Sequence, residues 1–352
     1  MAHLTHDFTS EAPLTESVRE AIAAAFDQGW ADPKKLSQSS GKAAALREAA
    51  LNEIATHLRV RLSDLEVVGE PALLPYLSLV GFTRSDTKLY TGTIDVGKIR
   101  AIARAHQGES EEVGVDHHGA LLRSGLKLNA HTLLSLQATN GETGISQELE
   151  GWRDCAGRVV VDATNVLPGA DYVTGFSATT FDATSWGGPR GVGFLAITDA
   201  KSYKYPLPHI APIRTPGSYS LPLLIGSAFA LRETLARVDE IVRVRNYCAE
   251  KLSNISGLTV LGPTAVVASG HLSAVIDEIS AEEFLRTLLT RDYVVDAGSA
   301  CNPEDLKPSH VVAAMGFPTP GHLRISVHAG QSEKDVDLLV HEVAEVLTLL
   351  RS

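Results

Sequence analysis

The residue types that could do chemistry stand at a few separated places in this 352-residue chain. Cys301 lies in Ala297-Gly298-Ser299-Ala300-Cys301-Asn302, a loop of small residues displaying one thiol, and an exposed thiol reacts as its thiolate. The plainer use of a lone cysteine is as a small buried hydrophobe. Arg324 sits inside the apolar run His322-Leu323-Arg324-Ile325-Ser326-Val327, where a buried guanidinium needs a carboxylate partner from the protein or from a substrate. Asp162 ends the β-prone run Arg158-Val159-Val160-Val161-Asp162, and Asn140 follows another strand-like run at Thr139-Asn140-Gly141. Ligands collect outside the carboxyl ends of strands in open α/β sheets, although an acid there also serves as an ordinary helix cap. The stretch from Phe181 through Ser185 to Gly193 holds four glycines and a proline before the apolar run Phe194-Leu195-Ala196-Ile197, so its plain reading is a tight turn entering a buried strand.

These residues need elements to position them. Residues 13–28 are expected to form a helix capped by Thr15, with Val18, Ile22 and Phe26 on one face, and residues 41–57 a second helix. Strand-like segments follow at 88–90, 111–115, 132–138, 158–162, 172–177 and 193–197, with helical segments at 73–81 and 98–105 between them. Such alternation predicts an α/β fold whose mostly parallel sheet is covered by helices on both faces. A proline-rich segment, 205–222, reads as a surface loop, and 218–255 as largely helical. A different rhythm then begins. Strands at 258–261, 272–277, 293–297 and 322–327 and helices at 281–290, 308–315 and 333–350 predict a small α+β unit. A large domain over 13–235 and a small one over 236–352, with residues 1–12 packing on the latter, fits a chain longer than the roughly 250–300 residues of a single core.

Bulk properties exclude some classes of function. A net charge of −11 opposes nonspecific nucleic-acid binding and anionic membrane surfaces. No apolar run approaches the ~18 residues of a membrane span, and the start lacks the basic and apolar regions of a signal peptide. Cys155, Cys248 and Cys301 are odd in number and far apart, so neither a disulfide framework nor a zinc site is expected, and the cytoplasm is the expected compartment.

Taken in order, Asp162-Ala163-Thr164-Asn165, Gly188-Pro189-Arg190-Gly191-Val192-Gly193, Gly298-Ser299-Ala300-Cys301 and Leu323-Arg324-Ile325-Ser326 resemble the class V aminotransferase family of pyridoxal-phosphate (PLP) enzymes, with cysteine desulfurases as the nearest branch. The resemblance runs from about Asp7 to the C-terminus and is tightest over 298–337. It implies PLP-dependent transferase fold type I, with a seven-stranded sheet in the large domain, PLP as cofactor and a homodimer. By the same resemblance Asp162 would hold the pyridinium nitrogen protonated, Asn140 and Asn165 would lie beside the cofactor, and Ser218 would reach a neighbouring subunit's phosphate. Arg324 would grip a substrate carboxylate and Cys301 would accept sulfur.

Other positions depart from that pattern. The Schiff-base lysine of the family corresponds to Ser185, whose hydroxyl cannot form an imine. Asp182 replaces a phosphate-binding serine, Gly69-Glu70-Pro71-Ala72 replaces a Ser-Gly-Thr phosphate loop, and Asp95-Val96 stands near the stacking histidine. Two carboxylates at ~4–5 Å from a phosphate dianion would oppose it by several kcal/mol at an effective dielectric near 20. The expectation is therefore a degenerate cysteine desulfurase-like protein without lysine-dependent PLP catalysis, a binding or regulatory subunit in a homodimer or paired with an active paralogue. The alternative is a working desulfurase or aminotransferase using Cys301 and Arg324 on a small amino-acid-like ligand. A third reading keeps the pocket and lets Glu70, Asp182 and Asp162 receive a cation or amine, while capping or solvation of those acids is the plain reading.

Overall fold

A computed structural model of the chain describes residues 5–169, 173–209, 219–262, 268–297 and 309–352. Local signals place its helices. Thr15 accepts a hydrogen bond from Val18 N to start α1 (Glu16–Gln28), and Ser37 does the same for α2 (Gln38–His57) from Ser40 N. Ser220 caps α6 (Leu221–Leu235), and a Ser332–Asp335 capping box opens α10 (Glu333–Arg351). α3 (Leu74–Val80), α4 (Gly97–Ala105), α5 (Glu150–Arg153), α7 (Val238–Ser253), α8 (Ala281–Leu289) and α9 (His310–Ala314) complete the set among the described residues.

Two sheets organise the chain. The larger has seven strands in the order β2 (Leu65–Val68), β8 (Gly193–Ile197), β7 (Ala178–Asp182), β6 (Arg158–Asp162), β5 (Thr132–Gln137), β3 (Lys88–Gly92) and β4 (Ser110–Val113). β8 runs against both of its neighbours, and the other pairings are parallel. This is the mostly parallel, helix-covered sheet that the alternating pattern requires. Strand β7 corrects the expectation of a strand over 172–177. Gly175 has φ +86°, which breaks extended backbone, and pairing begins only at Ala178, with β-branched Thr179 and Thr180 in the strand.

The two faces of the large sheet differ. Leu89, Leu133, Val160, Ala178 and Leu195 pack with Leu74, Leu77 and Ile99 of α3 and α4. Tyr90, Leu134, Leu136, Val161, Phe181 and Phe194 pack on the opposite side with Val18, Ile54 and Leu224 of α1, α2 and α6. Each such buried side chain contributes about 1.5–3 kcal/mol. The smaller sheet has the order β1 (Asp7–Phe8), β11 (Val294–Ala297), β12 (His322–Ser326), β10 (His271–Ile276) and β9 (Leu258–Val260). Its core, with Phe8, Leu272, Phe284, Leu323 and Val343, is covered by α7, α8 and α10. The sheets meet at Gly144, whose φ is +69° and whose missing Cβ leaves room for the carbonyl of His271.

Candidate functional site

Strand alternation builds the site on the α3/α4 face. On β6 the side chains of Arg158, Val160 and Asp162 share that face, and on β5 so do Leu133, Ser135 and Gln137. The parallel register puts Gln137 directly beside Asp162, and Thr180 of β7 on its other side. Each strand is thus apolar at its amino end, where it packs on helices, and polar at its carboxyl end. Thr91, Ser135, Gln137, Asp162 and Thr180 are all buried there.

Asp162 accepts from Thr164 N at 3.0 Å, Thr164 Oγ1 at 2.7 Å and Thr180 Oγ1 at 3.3 Å, all on Oδ1. Burial raises its carboxyl against the pull of these bonds, and the charge of Asp182 adds to the rise. A second buried acid, Asp95, folds back over the end of β3, where Gly92 N donates to its Oδ2 at 2.9 Å and Ser135 supplies a further hydrogen bond. Burial, opposed by these bonds and reinforced by the charge of Asp162, pushes Asp95 up to about 7. Its backbone carbonyl meets His310 Nε2 at 3.0 Å, which ties α9 to this edge of the large sheet.

Asn140 organises the turn after β5. Its Oδ1 accepts from Glu142 N and Thr143 N, both at 2.9 Å, and its Nδ2 donates to Ile94 O at 3.1 Å and Gln137 Oε1 at 2.8 Å. Asn165 packs against Gly141, where an added Cβ would stand 2.9 Å from its amide. Arg324 reaches the same turn, donating from Nη1 to Gly141 O at 3.2 Å. Its other donors go to the chain itself: Nε and Nη2 to Asp296 Oδ2 at 3.2 and 2.7 Å, and Nη2 to Ser10 Oγ at 2.8 Å. The antiparallel register makes Asp296 the direct partner of Arg324 across β11 and β12, and Ser10 N also donates to Asp296 at 2.8 Å. Burial foremost, with the Arg324 charge next, pushes neighbouring His271 down to about 3, so its ring is neutral at physiological pH.

Ser185 lies in a 3-10 turn, Ala183–Trp186, directly after β7, and its hydroxyl donates to Asp182 O at 2.8 Å. The Asp182 carboxylate caps this turn through Thr184 N at 3.0 Å, and Gly187 ends it at φ +71°. Trp186 anchors the turn, its indole N–H donating to Ser227 O of α6 at 3.1 Å. Glu70 likewise caps a turn, accepting from Ala72 N at 3.1 Å. Of the residues singled out from sequence, Asp162, Asn140, Asn165 and Arg324 gather around the turn after β5, with Ser185 just past the end of the strand adjoining β6. Cys301 and Ser218 lie outside the described residues. Asp95, Gln137, Thr91 and Asp296 join this polar set, and nothing in the sequence alone marks them as ligand-facing. A shared strand face signals Gln137, two residues past Ser135, and cross-strand pairing signals Asp296.

No lysine occurs between residues 128 and 200, the span that supplies β5 to β8. Lys201 and Lys204 follow β8, whose far end, Ile197, pairs with Ala178 at the amino end of β7. They stand about five residues, or ~17 Å, from the carboxyl edge.

No family model matches the chain. A cysteine desulfurase IscS of Methanosarcina thermophila is 28% identical over 175 residues, 47% of this chain and 43% of that protein. This alignment spans less than half of the relative's length. A cysteine desulfurase of Klebsiella pneumoniae is 23% identical over 370 residues, covering 98% of this chain and 93% of its own length. A solved NifS-like protein superimposes with a TM-score of 0.85 at 20% identity, over 97% of this chain and 99% of that one. The chain's homologues are cysteine desulfurases, relatives of the class V aminotransferases, and it has PLP-dependent transferase fold type I.

Proposed function

We propose that this chain is a cysteine desulfurase-like protein that has given up lysine-anchored PLP chemistry and works as a binding or regulatory subunit. The observation that carries the reading is Ser185 in the turn after β7, where the family's imine-forming amine is expected. The donor set argues in the same direction. Proteins of this family use PLP, and Asp162 suits its pyridinium nitrogen. The remaining residues do not fit an anchored, phosphorylated cofactor. Asp182 stands in place of a phosphate-binding hydroxyl, Glu70 in place of the phosphate loop, and the buried acid Asp95 near the stacking ring's position. The test is visible absorption of the purified chain after incubation with PLP. No imine band is expected, and a band that borohydride fixes onto a lysine refutes the proposal.

A second reading, a working desulfurase or aminotransferase using Cys301 and Arg324, is favoured by the burial of Asp162 and its three hydrogen bonds, a setting that suits a protonated ring nitrogen. Alanine release from cysteine, compared with Cys301→Ser, separates the two, and product above that variant's level supports an enzyme. As a subunit the chain would pair with its own copy or with an active paralogue, and exposed Phe26, Trp30 and Leu36 are consistent with a covering chain. We place this role in the cytoplasm. Among the described residues no helix is long and apolar enough to cross a membrane.

A further inference from the structure

We propose that the cluster of buried polar side chains at the carboxyl ends of β3, β5, β6 and β7 binds a small primary amine that also carries a hydroxyl or carbonyl oxygen and has no anionic group. This deepens the subunit reading above and rests on it.

The side-chain charge around these strand ends is predominantly acidic, and Arg100, which also acts on Asp95, is paired with Glu112 at 3.0 Å. Asp95, Asp162 and Asp182 interact with one another electrostatically through Asp162. The guanidinium that bonds the turn after β5, Arg324, is already engaged by Asp296 and Ser10. The ring of His271, beside that guanidinium, is held neutral. An incoming carboxylate or phosphate would meet acids and an occupied arginine, whereas an ammonium would find carboxylates whose burial it would relieve.

Acids alone would not point to a ligand, since turn capping accounts for Asp182. The independent sign is a pair of orphaned polar atoms in the same layer. Gln137 is 2% exposed, its Oε1 is taken by Asn140, and its Nε2 has no partner. Its register partner is Asp162, so its side chain points into the face that carries that acid. Thr91 is fully buried, and its Oγ1 also has no partner. It lies one residue beyond the Tyr90–Leu134 pair, hence beside Ser135, which bonds Asp95. A buried amide N–H without an acceptor is unfavourable, and a ligand oxygen would satisfy it. The amine and the oxygen are thus required by different residues: the amine by Asp162 and Asp95, the oxygen by Gln137 and Thr91. The spacing of adjacent strands, ~4.8 Å, sets the scale of the molecule at two or three carbons.

Ethanolamine is the probe, titrated calorimetrically into the full chain at about pH 8, with PLP absorption recorded on the same preparation. We expect saturable binding of ethanolamine, binding of ethylamine weaker by about three- to tenfold through loss of one hydrogen bond, and none of ethylene glycol. Phosphoethanolamine should bind at least about tenfold more weakly than ethanolamine, because its phosphate meets the acids. Asp162→Asn should weaken ethanolamine by about tenfold or more. Gln137→Leu should erase the preference for ethanolamine over ethylamine. The ranking of the ligands on the unaltered chain needs no variant to fold. No heat with ethanolamine, meaning that water alone satisfies Gln137 and Thr91, overturns the inference. So does equal or tighter binding of phosphoethanolamine. An imine band with PLP refutes the subunit reading itself, and silence toward ethanolamine without such a band refutes this inference alone.

Discussion

Replacing Asp95 by asparagine should stabilise the protein at mildly alkaline pH and leave it nearly unchanged in acid. The folded-state pKa of about 7 lies above the ordinary aspartate value of 3.8. A carboxyl whose folded pKa is raised favours folding in its neutral form, so the penalty is absent below about pH 4, grows between the two values and is constant above about pH 7. A rise of about three units at roughly 1.4 kcal/mol each sets an upper figure of about 4 kcal/mol. Asparagine keeps an oxygen to accept from Gly92 N, and its amide can face the Ser135 hydroxyl, so little bonding is lost. A net gain of about 2–4 kcal/mol at about pH 8 follows. Urea denaturation of both proteins at about pH 4 and about pH 8 measures it. The reasoning fails if the variant gains as much at the lower pH as at the higher, or is the less stable protein at the higher pH.

Three other perturbations probe the remaining geometry. Gly144→Ala should cost about 3 kcal/mol or more, since it combines a left-handed residue with overlap onto the His271 carbonyl; urea unfolding reads the loss. Asp296→Asn should cost about 2 kcal/mol by weakening its charged bonds to Arg324, and should speed amide exchange at Phe8 and Ser10. Ser185→Lys alone should yield no imine band with PLP, because Asp182 and Glu70 still oppose the phosphate and no ring stacks at Asp95. Adding Glu70→Ser, Asp182→Ser and Asp95→His should bring the band out, and a band from the single change would show that the acids do not matter.

The sheet was legible because its strands are short apolar runs bounded by turn residues, and Arg158-Val159-Val160-Val161-Asp162 announces both a strand and an acid at its end. The misplaced strand shows the limit of that signal. Tyr172, Val173 and Phe176 have strand-like composition, but Gly175 turns the backbone, and the ladder starts where Ala178 meets Val160. Asp95 reads in sequence as an ordinary turn acid after a strand. Its burial depends on packing beneath α9, contributed from more than two hundred residues away, as the contact of its carbonyl with His310 records. Asp296 looks like normal alternation in an edge-type strand, and only the antiparallel register sets it across from Arg324. A two-residue strand such as β1 is too short to carry any period at all.

That short strand has a consequence for the order in which the chain can be completed. His6 accepts from Val294 N, Phe8 pairs with Val295, Ser10 binds Asp296 and Arg324, and Thr9 meets His328. These are contacts between residues made early and residues made much later, separated by 286 positions for Ser10 and Asp296. At about 5–20 residues per second, the opening segment waits some 15–60 s after it is made before its strand partner exists. During that time Phe8, fully buried in the finished protein, has no β11 to lie against. Among the described residues the large sheet contains no strand from that segment and can assemble in the interval, whereas β1 cannot join the five-stranded sheet, nor Ser10 reach Arg324, until β11 and β12 have been made.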